Sequence, residues 1–476
     1  SNTLKNIKLI LLQQNPSKHM KKNSIESLLT KMFDIMDNQF LHPYVVMNKY
    51  DEVPYQLPSD LDMCITPDDF ERLDVIVQNI AKGIGLIIVQ KIWHGYMKCA
   101  YILSPLTPKE RFRLQLDFFT DFSVKHTPLL ISYTDLQSET RKYGRFTVPS
   151  YRMEYVFLLM RRIFKDDFDK EHFVAISKAV CGDKEGCFSY IKHFFDNDTA
   201  EKINLYVNNN DINGLKQFRP VLWKKLQQLS RRNSRGIYKL KFNMSEIKRL
   251  WFRIKFPVGM CIVLLSPDGG GKSSIYERIT ETCWGAFFGI SKMYFRPHLL
   301  TNPGMLNPLN PVPASSDNPD PHGKKPNGFL KSLVRFLYYN IDFVLGYHIL
   351  VRKRCIQKQL VVFDRYYYDY FVDMKRYRYS LPKWMPKLFA KTIPTPDLIF
   401  ILDGTAKVLY ERKKELPIDE IQRQITEYRN IKSRYKNAIL VNVDNPLDDV
   451  VDDVTRQILQ FKKERTSKAM GLCLDN

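Results

Sequence analysis

The sequence predicts an α/β protein built from two α/β units and a basic connecting segment. Its 476 residues favour two or three domains rather than one. Short apolar runs such as Ile262–Leu265 alternate with segments of helical spacing, which is the pattern of an α/β sheet. Between the two halves, residues 231–255 carry nine Lys or Arg and the single acid Glu246. We predict domains at 1–235 and 256–465, a basic linker helix at 236–255 and a flexible tail at 466–476.

The first unit begins with helical spacing and then turns to short strands. Residues 4–40 predict one or two helices, and residues 44–47 predict a strand. The segment Ser59–Ile65 predicts a second strand, and Arg113–Phe119 alternates polar with apolar residues as a half-buried strand does. From 149 to 229 the apolar residues recur at helical spacing, which predicts a lobe of helices appended to the sheet.

Three carboxylates in the first unit predict a divalent metal site. Asp60 and Asp62 stand two residues apart, so on a strand they project from one face. Asp117 lies on the polar face of its own predicted strand. We expect the three to converge and to bind metal if the site works. An idle site should instead show raised pKa values or a basic side chain among the acids, with Arg113 as the nearest candidate.

This arrangement resembles the nucleotidyltransferase superfamily, in which an Asp-x-Asp pair and a later strand Asp coordinate two metal ions. The resemblance covers residues 20–230 and implies a nucleotidyltransferase-like fold. The family's Gly-Ser turn, expected shortly before the pair, is replaced here by Met47-Asn48-Lys49. Three alternatives stay open: an active metal site, a fold kept for binding or scaffolding, and a chance Asp-x-Asp.

A glycine turn in the second unit predicts a phosphate-binding loop. Gly269–Gly271 follow an apolar strand and precede a helix that begins near Lys272. Backbone N–H groups of such a turn point at anionic oxygens, and the positive end of the helix dipole adds to the attraction. Lys272 is expected to reach the β- and γ-phosphates of ATP, and Ser273 to hold Mg²⁺. The match to G-x-x-x-x-G-K-[ST] is incomplete because Ser266 occupies the first glycine position.

Two later segments agree with a nucleotide-binding unit. The apolar run Leu360–Phe363 predicts a buried parallel strand that delivers an Asp-Arg-Tyr triplet to its carboxyl edge, where ligands gather in open α/β sheets. The charged segment Glu411–Glu415 follows a further apolar strand. Together with the loop, these motifs resemble the thymidylate kinase branch of P-loop kinases, whose loop carries an Asp at the position of Asp268 and whose lid carries an arginine. The resemblance covers nearly half of the chain and implies ATP-dependent phosphoryl transfer.

The resemblance also implies a role for each matched residue. The catalytic residues would be Lys272, Asp364, Arg365 and Arg412. Mg²⁺ would be held by Ser273 and Asp364. The nucleotide triphosphate would contact Asp268, Gly269, Gly270, Gly271, Lys272, Ser273 and Ser274. The acceptor would contact Arg296, Asp342, Tyr366, Arg376 and Arg378.

The acceptor is expected to be larger than a nucleoside monophosphate. Residues 302–328 hold seven prolines, five asparagines and three glycines, which predicts a long mobile loop over the acceptor site. The run Tyr366–Tyr379 interleaves basic with aromatic residues, which suits sugar rings and phosphates and also single-stranded nucleic acid. We expect a small-molecule or glycan acceptor and not dTMP. The two-unit combination is similar to proteins associated with bacterial surface polysaccharide synthesis.

Charge and cysteines bear on partners and compartment. The net charge of +22 favours polyanionic partners or a basic solubilising surface. Eight cysteines without C-x-x-C spacing predict reduced thiols in a cytoplasmic protein. No N-terminal signal sequence is visible, and charges interrupt the apolar segment 329–351, so we expect no transmembrane span. The alternatives are a nucleoside monophosphate kinase, a nucleic-acid-binding protein, which is possible but not favoured, and a scaffold without turnover.

Overall fold

The computed structural model describes residues 22–107, 112–124, 127–283, 285–301, 322 and 325–472. The chain is a mixed α/β protein, so the predicted fold class is confirmed. It divides into two compact units. The first is drawn from the described residues of 1–105, 112–252 and 466–476, and the second from those of 253–465.

A seven-stranded mixed sheet forms the centre of the first unit. Its strands are β1 Val45–Val46, β2 Leu61–Cys64, β3 Ile87–Gly95, β4 Lys98–Ser104, β5 Leu114–Phe119, β8 Thr140–Tyr143 and β9 Phe146–Pro149. The order is β3-β4-β5-β2-β1-β9-β8, and a separate hairpin pairs β6 Phe122–Val124 with β7 Thr127–Ile131. Strands β2 and β5 are parallel neighbours, and their register places Asp62 opposite Asp117.

Helices cover both faces of this sheet. They are α1 Lys22–Gln39, α2 Pro67–Glu71, α3 Leu73–Gly83, α4 Tyr133–Ser138, α5 Tyr151–Lys165, α6 Lys170–Gly182, α7 Lys184–Tyr190, α8 Asn197–Asn208, α9 Ile212–Asn233 and α10 Ile237–Lys255. Helix α5 begins after Ser150, whose hydroxyl accepts a hydrogen bond from the Met153 N–H, and it ends at Asp166 in the left-handed region. The predicted helical lobe and basic linker helix are therefore present as helices.

The alternation along β2 and β5 decides which face carries the acids. Met63 and Phe118 belong to the core beneath α1 and α3, whereas Cys64 and Phe119 belong to the core formed with α5 to α9. Because side chains two residues apart share a face of a strand, Asp62 and Asp117 point to the side where α5 lies. This arrangement brings α5 side chains to the carboxylates.

A five-stranded parallel sheet forms the centre of the second unit. Its strands are β10 Met260–Leu265, β11 Gly289–Tyr294, β12 Gln359–Asp364, β13 Leu398–Asp403 and β14 Ala438–Asn442, in the order β11-β12-β10-β13-β14. Every pairing is parallel, and β10 is buried along its whole length. The carboxyl end of β10 therefore lies at the middle of the sheet edge, with β12 and β13 on either side.

The helices of the second unit follow these strands. They are α11 Lys272–Thr282, α12 Phe329–Gly346, α13 Arg352–Ile356, α14 Asp369–Val372, α15 Trp384–Phe389, α16 Ala406–Arg412, α17 Ile418–Arg434 and α18 Leu447–Met470. Helix α12 continues into a π-helical turn at Tyr347–Val351. A parallel sheet with a glycine turn after its central strand is a P-loop kinase-like arrangement.

Three sequence predictions need correction or fall outside the described residues. Helix α18 runs to Met470, and the Thr466 hydroxyl donates to the Val89 carbonyl, so residues 466–470 of the predicted flexible tail are helical instead. In the second unit, the sequence predicts a strand at Met293–Pro297, but β11 ends at Tyr294. The first 21 residues and nearly all of the predicted loop at 302–328 lie outside the described residues.

The described cysteines are free thiols, and all but Cys181 are buried. Among the residues with assigned structure, none belongs to a helix with both the length and the apolar character needed to cross a bilayer.

Candidate functional site

The glycine turn of the second unit joins β10 to α11. Gly269 and Gly271 have φ values of 87° and 78°, in the left-handed region that favours glycine. A Cβ on Gly269 would lie 2.3 Å from the Leu409 carbonyl oxygen, so the loop passes directly beside α16. Helix α11 begins at Lys272, and the hydroxyl-bearing Ser273 and Ser274 are exposed in its first turn. Turn and helix start thus present N–H groups in the geometry that binds anions.

Lys272 is buried and folds back over its own loop. Its Nζ donates to the carbonyl oxygens of Ser266 and Pro267, each at 3.0 Å. Burial, aided by the neighbouring Arg365 charge, lowers the pKa of Lys272 to about 8. The ammonium is therefore costly to keep charged in the fold alone, and a phosphate anion would stabilise it.

Asp364 occupies the carboxyl end of β12, beside β10. Its register partner on β10 is Leu264, two residues before the turn starts. One carboxylate oxygen lies 3.7 Å from Lys292 Nζ, while the other, Oδ1, is buried and makes no hydrogen bond among the described residues. An unpaired buried carboxylate oxygen fits a hard cation such as Mg²⁺, with the Ser273 hydroxyl as a second oxygen donor.

Arg365 joins the loop to the acids that follow β12. Its guanidinium donates to Asp268 at 2.7 Å and to Asp369 at 2.9 Å, and Arg376 also donates to Asp268. Burial opposes ionisation of Asp268, but Arg365, Lys272 and Arg376 outweigh it and hold the pKa of that carboxyl well below its usual range. This network connects the loop to the segment that follows β12.

The residues predicted to contact the acceptor are largely committed to internal contacts. Arg296 donates to Asp342 at 2.5 Å, and these side chains are 2 % and 0 % exposed. The Tyr366 ring lies in the core and its hydroxyl donates to the Pro394 carbonyl. Arg378 donates to the Lys325 carbonyl at 2.9 Å. As folded, Arg296, Asp342 and Tyr366 offer no free group to an acceptor, because burial and pairing consume their polar atoms.

Two further expectations for this unit are corrected. The tyrosines of the run 366–379 are core residues rather than a ligand platform, with Tyr370 and Tyr377 packed on Phe295. Their aromatic spacing therefore supports neither sugar nor nucleic-acid stacking. Arg412, expected on a lid over the phosphoryl group, donates instead to the Val443 carbonyl at 3.0 Å. The lid cation whose charge acts on Asp268 is its neighbour, Lys413.

The first unit brings its three predicted acids together. One carboxylate oxygen from each of Asp60, Asp62 and Asp117 lies within 4.8 Å of the others. The predicted convergence is therefore confirmed, and its cause is the parallel register of β2 and β5. Asn48 fixes Asp62 from both sides, since its amide donates to the carboxylate at 2.6 Å and its carbonyl oxygen accepts from the Asp62 N–H at 3.1 Å. Oxygen donors this close suit a divalent cation.

Cations of the chain surround these acids. Arg161 of α5 donates to Asp62 and lies 3.6 Å from Asp60, and Lys49 lies 3.4 Å from Asp60. The expected insertion of a basic side chain is thus observed, but the residue is Arg161 and not Arg113. Arg113 instead donates to its neighbour's carbonyl, that of Phe112. The strand alternation could not reveal Arg161, because it comes from a helix distant in sequence.

The protonation of the cluster follows from burial and from like charge. Burial, Asp62 and Asp60 raise the pKa of Asp117 to about 7, although Gln115 donates to it at 2.9 Å. Burial opposes ionisation of Asp60 as well, but the Ser59 hydroxyl, Lys49 and Arg161 outweigh it and lower that pKa. The acids are therefore unequal: Asp60 is held ionised, whereas Asp117 is about half protonated at pH 7.

Comparison with solved structures finds a likeness to part of the chain. No protein-family model matches the chain, and no curated protein matches it. Among solved structures, thymidylate kinase from Ehrlichia chaffeensis is similar to part of the chain, with 16 % identity and a TM-score of 0.28. The match covers 41 % of this chain and 96 % of that one. The function proposed below rests on the residues of this chain.

Proposed function

We propose that the second unit is an ATP-dependent phosphotransferase that acts on a small-molecule or glycan acceptor. The observation that carries the proposal is the glycine turn at the carboxyl end of β10, with Lys272 on one side and the unpaired Asp364 oxygen at the end of the adjacent strand. Phosphoryl transfer needs charge neutralisation and positioning more than covalent chemistry, and this edge of the sheet supplies both.

Each residue has a part in that transfer. The N–H groups of Gly269–Ser273 and the Lys272 ammonium would bind the donor phosphates. Ser273 and Asp364 would hold Mg²⁺, which would neutralise charge on the transferring group. Arg365 is 2 % exposed and paired with Asp268 and Asp369, so it would hold Asp268 in place beside the loop rather than contact the acceptor. Arg376, bound to the same Asp268, would act beside it.

Replacing Lys272 tests the proposal. Lys272→Met should lower ATP turnover about 100-fold or more, because it removes the loop's side-chain cation from the developing phosphate charge. Lys391→Met, at an exposed lysine of the same unit, is the matched control and should keep normal turnover. Near-normal turnover in Lys272→Met, with circular dichroism showing a folded protein, would reject the loop assignment.

The acceptor class has its own test. We expect sugars, oligosaccharides or related hydroxyl compounds, including those used in surface polysaccharide synthesis, to be phosphorylated in preference to dTMP. The long insert at 302–328 supports this acceptor class. The aromatic run at 366–379 does not, because its tyrosines are buried. Coupled assays of ADP release should compare dTMP with a panel of such acceptors. Phosphorylation of dTMP at a kcat/KM of about 10⁴ M⁻¹s⁻¹ or above would identify a nucleoside monophosphate kinase instead.

The carboxylate triad supports a second candidate function, metal-dependent nucleotidyl transfer by the first unit. Asp60, Asp62 and Asp117 would hold the divalent cations, which would lower the pKa of an attacking hydroxyl and clamp the triphosphate. The test is pyrophosphate release from nucleoside triphosphates with Mn²⁺. Asp62→Asn should abolish release, while Asp51→Asn at the surface should not. Absence of release from the unmodified protein with any acceptor would leave the triad as a structural cluster.

A further inference from the structure

The outer face of helix α10 carries a stripe of exposed apolar side chains. Its five members are Ile237, Leu240, Met244, Ile247 and Trp251, which are 72, 59, 50, 68 and 59 % exposed. Their spacing of three and four residues places them along one line of the helix. We call them the α10 stripe. Contiguous exposed apolar surface of this extent marks an interaction site, because soluble proteins otherwise avoid it.

The opposite face of the helix is fixed within the first unit. The Tyr238 hydroxyl donates to Asp121 at 3.1 Å, and its ring packs on Tyr96. Phe252 packs on Trp93 with ring centroids 5.9 Å apart, and Phe242 is 5 % exposed. Because these contacts hold one face of α10 inward, the stripe is held outward. Its exposure follows from this packing.

Cations line one edge of the stripe. Lys241 and Lys248 each follow a stripe residue by one position, and both are exposed. The single acid of the helix, Glu246, lies off the stripe and is paired with Arg249 at 2.6 Å. The stripe is therefore an apolar strip with one positive margin.

The charges beside the α10 stripe indicate which kind of partner binds it. A second copy of α10 paired antiparallel would bring this lysine edge against the same edge of the other helix, which destabilises helix pairing. An anionic lipid surface satisfies both features, since acyl chains accept the apolar residues and lipid phosphates accept the lysines. Tryptophan at the boundary is also favourable there. We propose that α10 docks the protein on the surface of an anionic bilayer, lying in the interface plane.

Vesicle co-sedimentation of the full chain tests this proposal. The vesicles would be phosphatidylcholine alone or with about one part in four of phosphatidylglycerol, at low and at physiological salt. The unmodified protein should bind the anionic vesicles about tenfold or more tightly than the neutral ones. The double variant Leu240→Gln/Ile247→Gln should lose on the order of tenfold in affinity or more. Lys241→Gln/Lys248→Gln should lose a similar factor on anionic vesicles only.

Matched controls separate the stripe from general surface effects. Leu205→Gln and Lys224→Gln change an exposed leucine on α8 and an exposed lysine on α9, and both should bind like the unmodified protein. Brominated lipid should quench tryptophan emission, and Trp251→Phe should remove that quenching while circular dichroism stays unchanged. All substituted positions are exposed, so the variants should fold.

Defined outcomes would overturn the proposal. The first is absence of binding to anionic vesicles, and the second is binding that the stripe variant leaves unchanged. A dimer that Leu240→Gln/Ile247→Gln dissociates in analytical ultracentrifugation, without vesicle binding, would assign the stripe to a second copy. An oligonucleotide gel shift that Lys241→Gln/Lys248→Gln abolishes, again without vesicle binding, would assign the positive margin to nucleic acid.

Discussion

The glycine turn of the second unit and the carboxylate triad of the first both concentrate charge, but they balance it differently. At the turn, Lys272 donates to carbonyl oxygens, and Asp364 Oδ1 accepts no hydrogen bond from the part of the chain that the structure describes. At the triad, Arg161 and Lys49 already neutralise Asp60 and Asp62. Buried charge must be compensated either by a ligand or by the chain. The turn therefore depends on a ligand, whereas Asp60 and Asp62 of the triad are compensated within the fold and Asp117 is not.

The largest expected effect is at Asp117, where we ask how far the fold compensates an ionised carboxylate. Its pKa of about 7 lies above the value of about 4 in the unfolded chain. The folded state therefore binds the Asp117 proton more tightly than the unfolded chain does. The stabilisation that this proton gives the fold is fully present below about pH 4 and is lost as the pH rises to about 7. Ionised Asp117 then costs about 4 kcal/mol at pH 8.

Asp117→Asn should remove this cost. Urea unfolding of the first unit should show the variant stabilised at pH 8 and little changed at pH 4, with the slope between them flattened. Asp68→Asn, at an exposed acid of the same unit, is the control and should leave the pH profile unchanged. Equal destabilisation of Asp117→Asn at both pH values would show that the acid is well compensated when ionised.

The next largest effect concerns the turn and uses two glycines with similar backbone angles. Gly269→Ala places a Cβ 2.3 Å from the Leu409 carbonyl oxygen, so the backbone must shift, whereas the Cβ of Gly271→Ala meets nothing within 4 Å. ATP affinity should fall about 100-fold in Gly269→Ala. Gly271→Ala should lose only the strain of a left-handed alanine, about 1 kcal/mol, or roughly fivefold. Calorimetric titration with ATP measures both, and equal losses would contradict the geometry.

The smallest expected effect concerns competition between Arg161 and a metal ion for the carboxylates of Asp60 and Asp62. Arg161→Met removes a cation from Asp60 and Asp62 while keeping an unbranched side chain. Mn²⁺ affinity of the triad should rise about tenfold, since a divalent ion no longer displaces a buried guanidinium. Arg152→Met, on the same helix, is the control. Mn²⁺ paramagnetic resonance gives the free ion concentration, and unchanged or weaker binding would show that Arg161 does not compete.

The two sites also differ in how far the sequence alone predicts them. The loop from Asp268 to Ser274 is contiguous, so local spacing predicts its turn and helix start. The triad comes from two segments, and strand alternation predicts which face each acid takes. Neither rule predicts Arg161 or Asn48, because their approach depends on how α5 and the chain before β2 pack on the sheet. Sequence spacing also fails for the tyrosines of 366–379. Their alternation with basic residues predicts an exposed binding surface, but the folded chain buries them.

By itself the sequence determined the α/β class, the glycine turn and the strand positions of Asp62 and Asp117, because each depends on residues a few positions apart; Asp60 lies directly before β2. Tertiary structure alone decided which charges meet. It paired Arg296 with Asp342 in the core, placed Arg365 between Asp268 and Asp369, and put Arg161 on the triad. Charge pairing acts over a few ångströms in space, whatever the separation along the chain, so sequence spacing cannot report it.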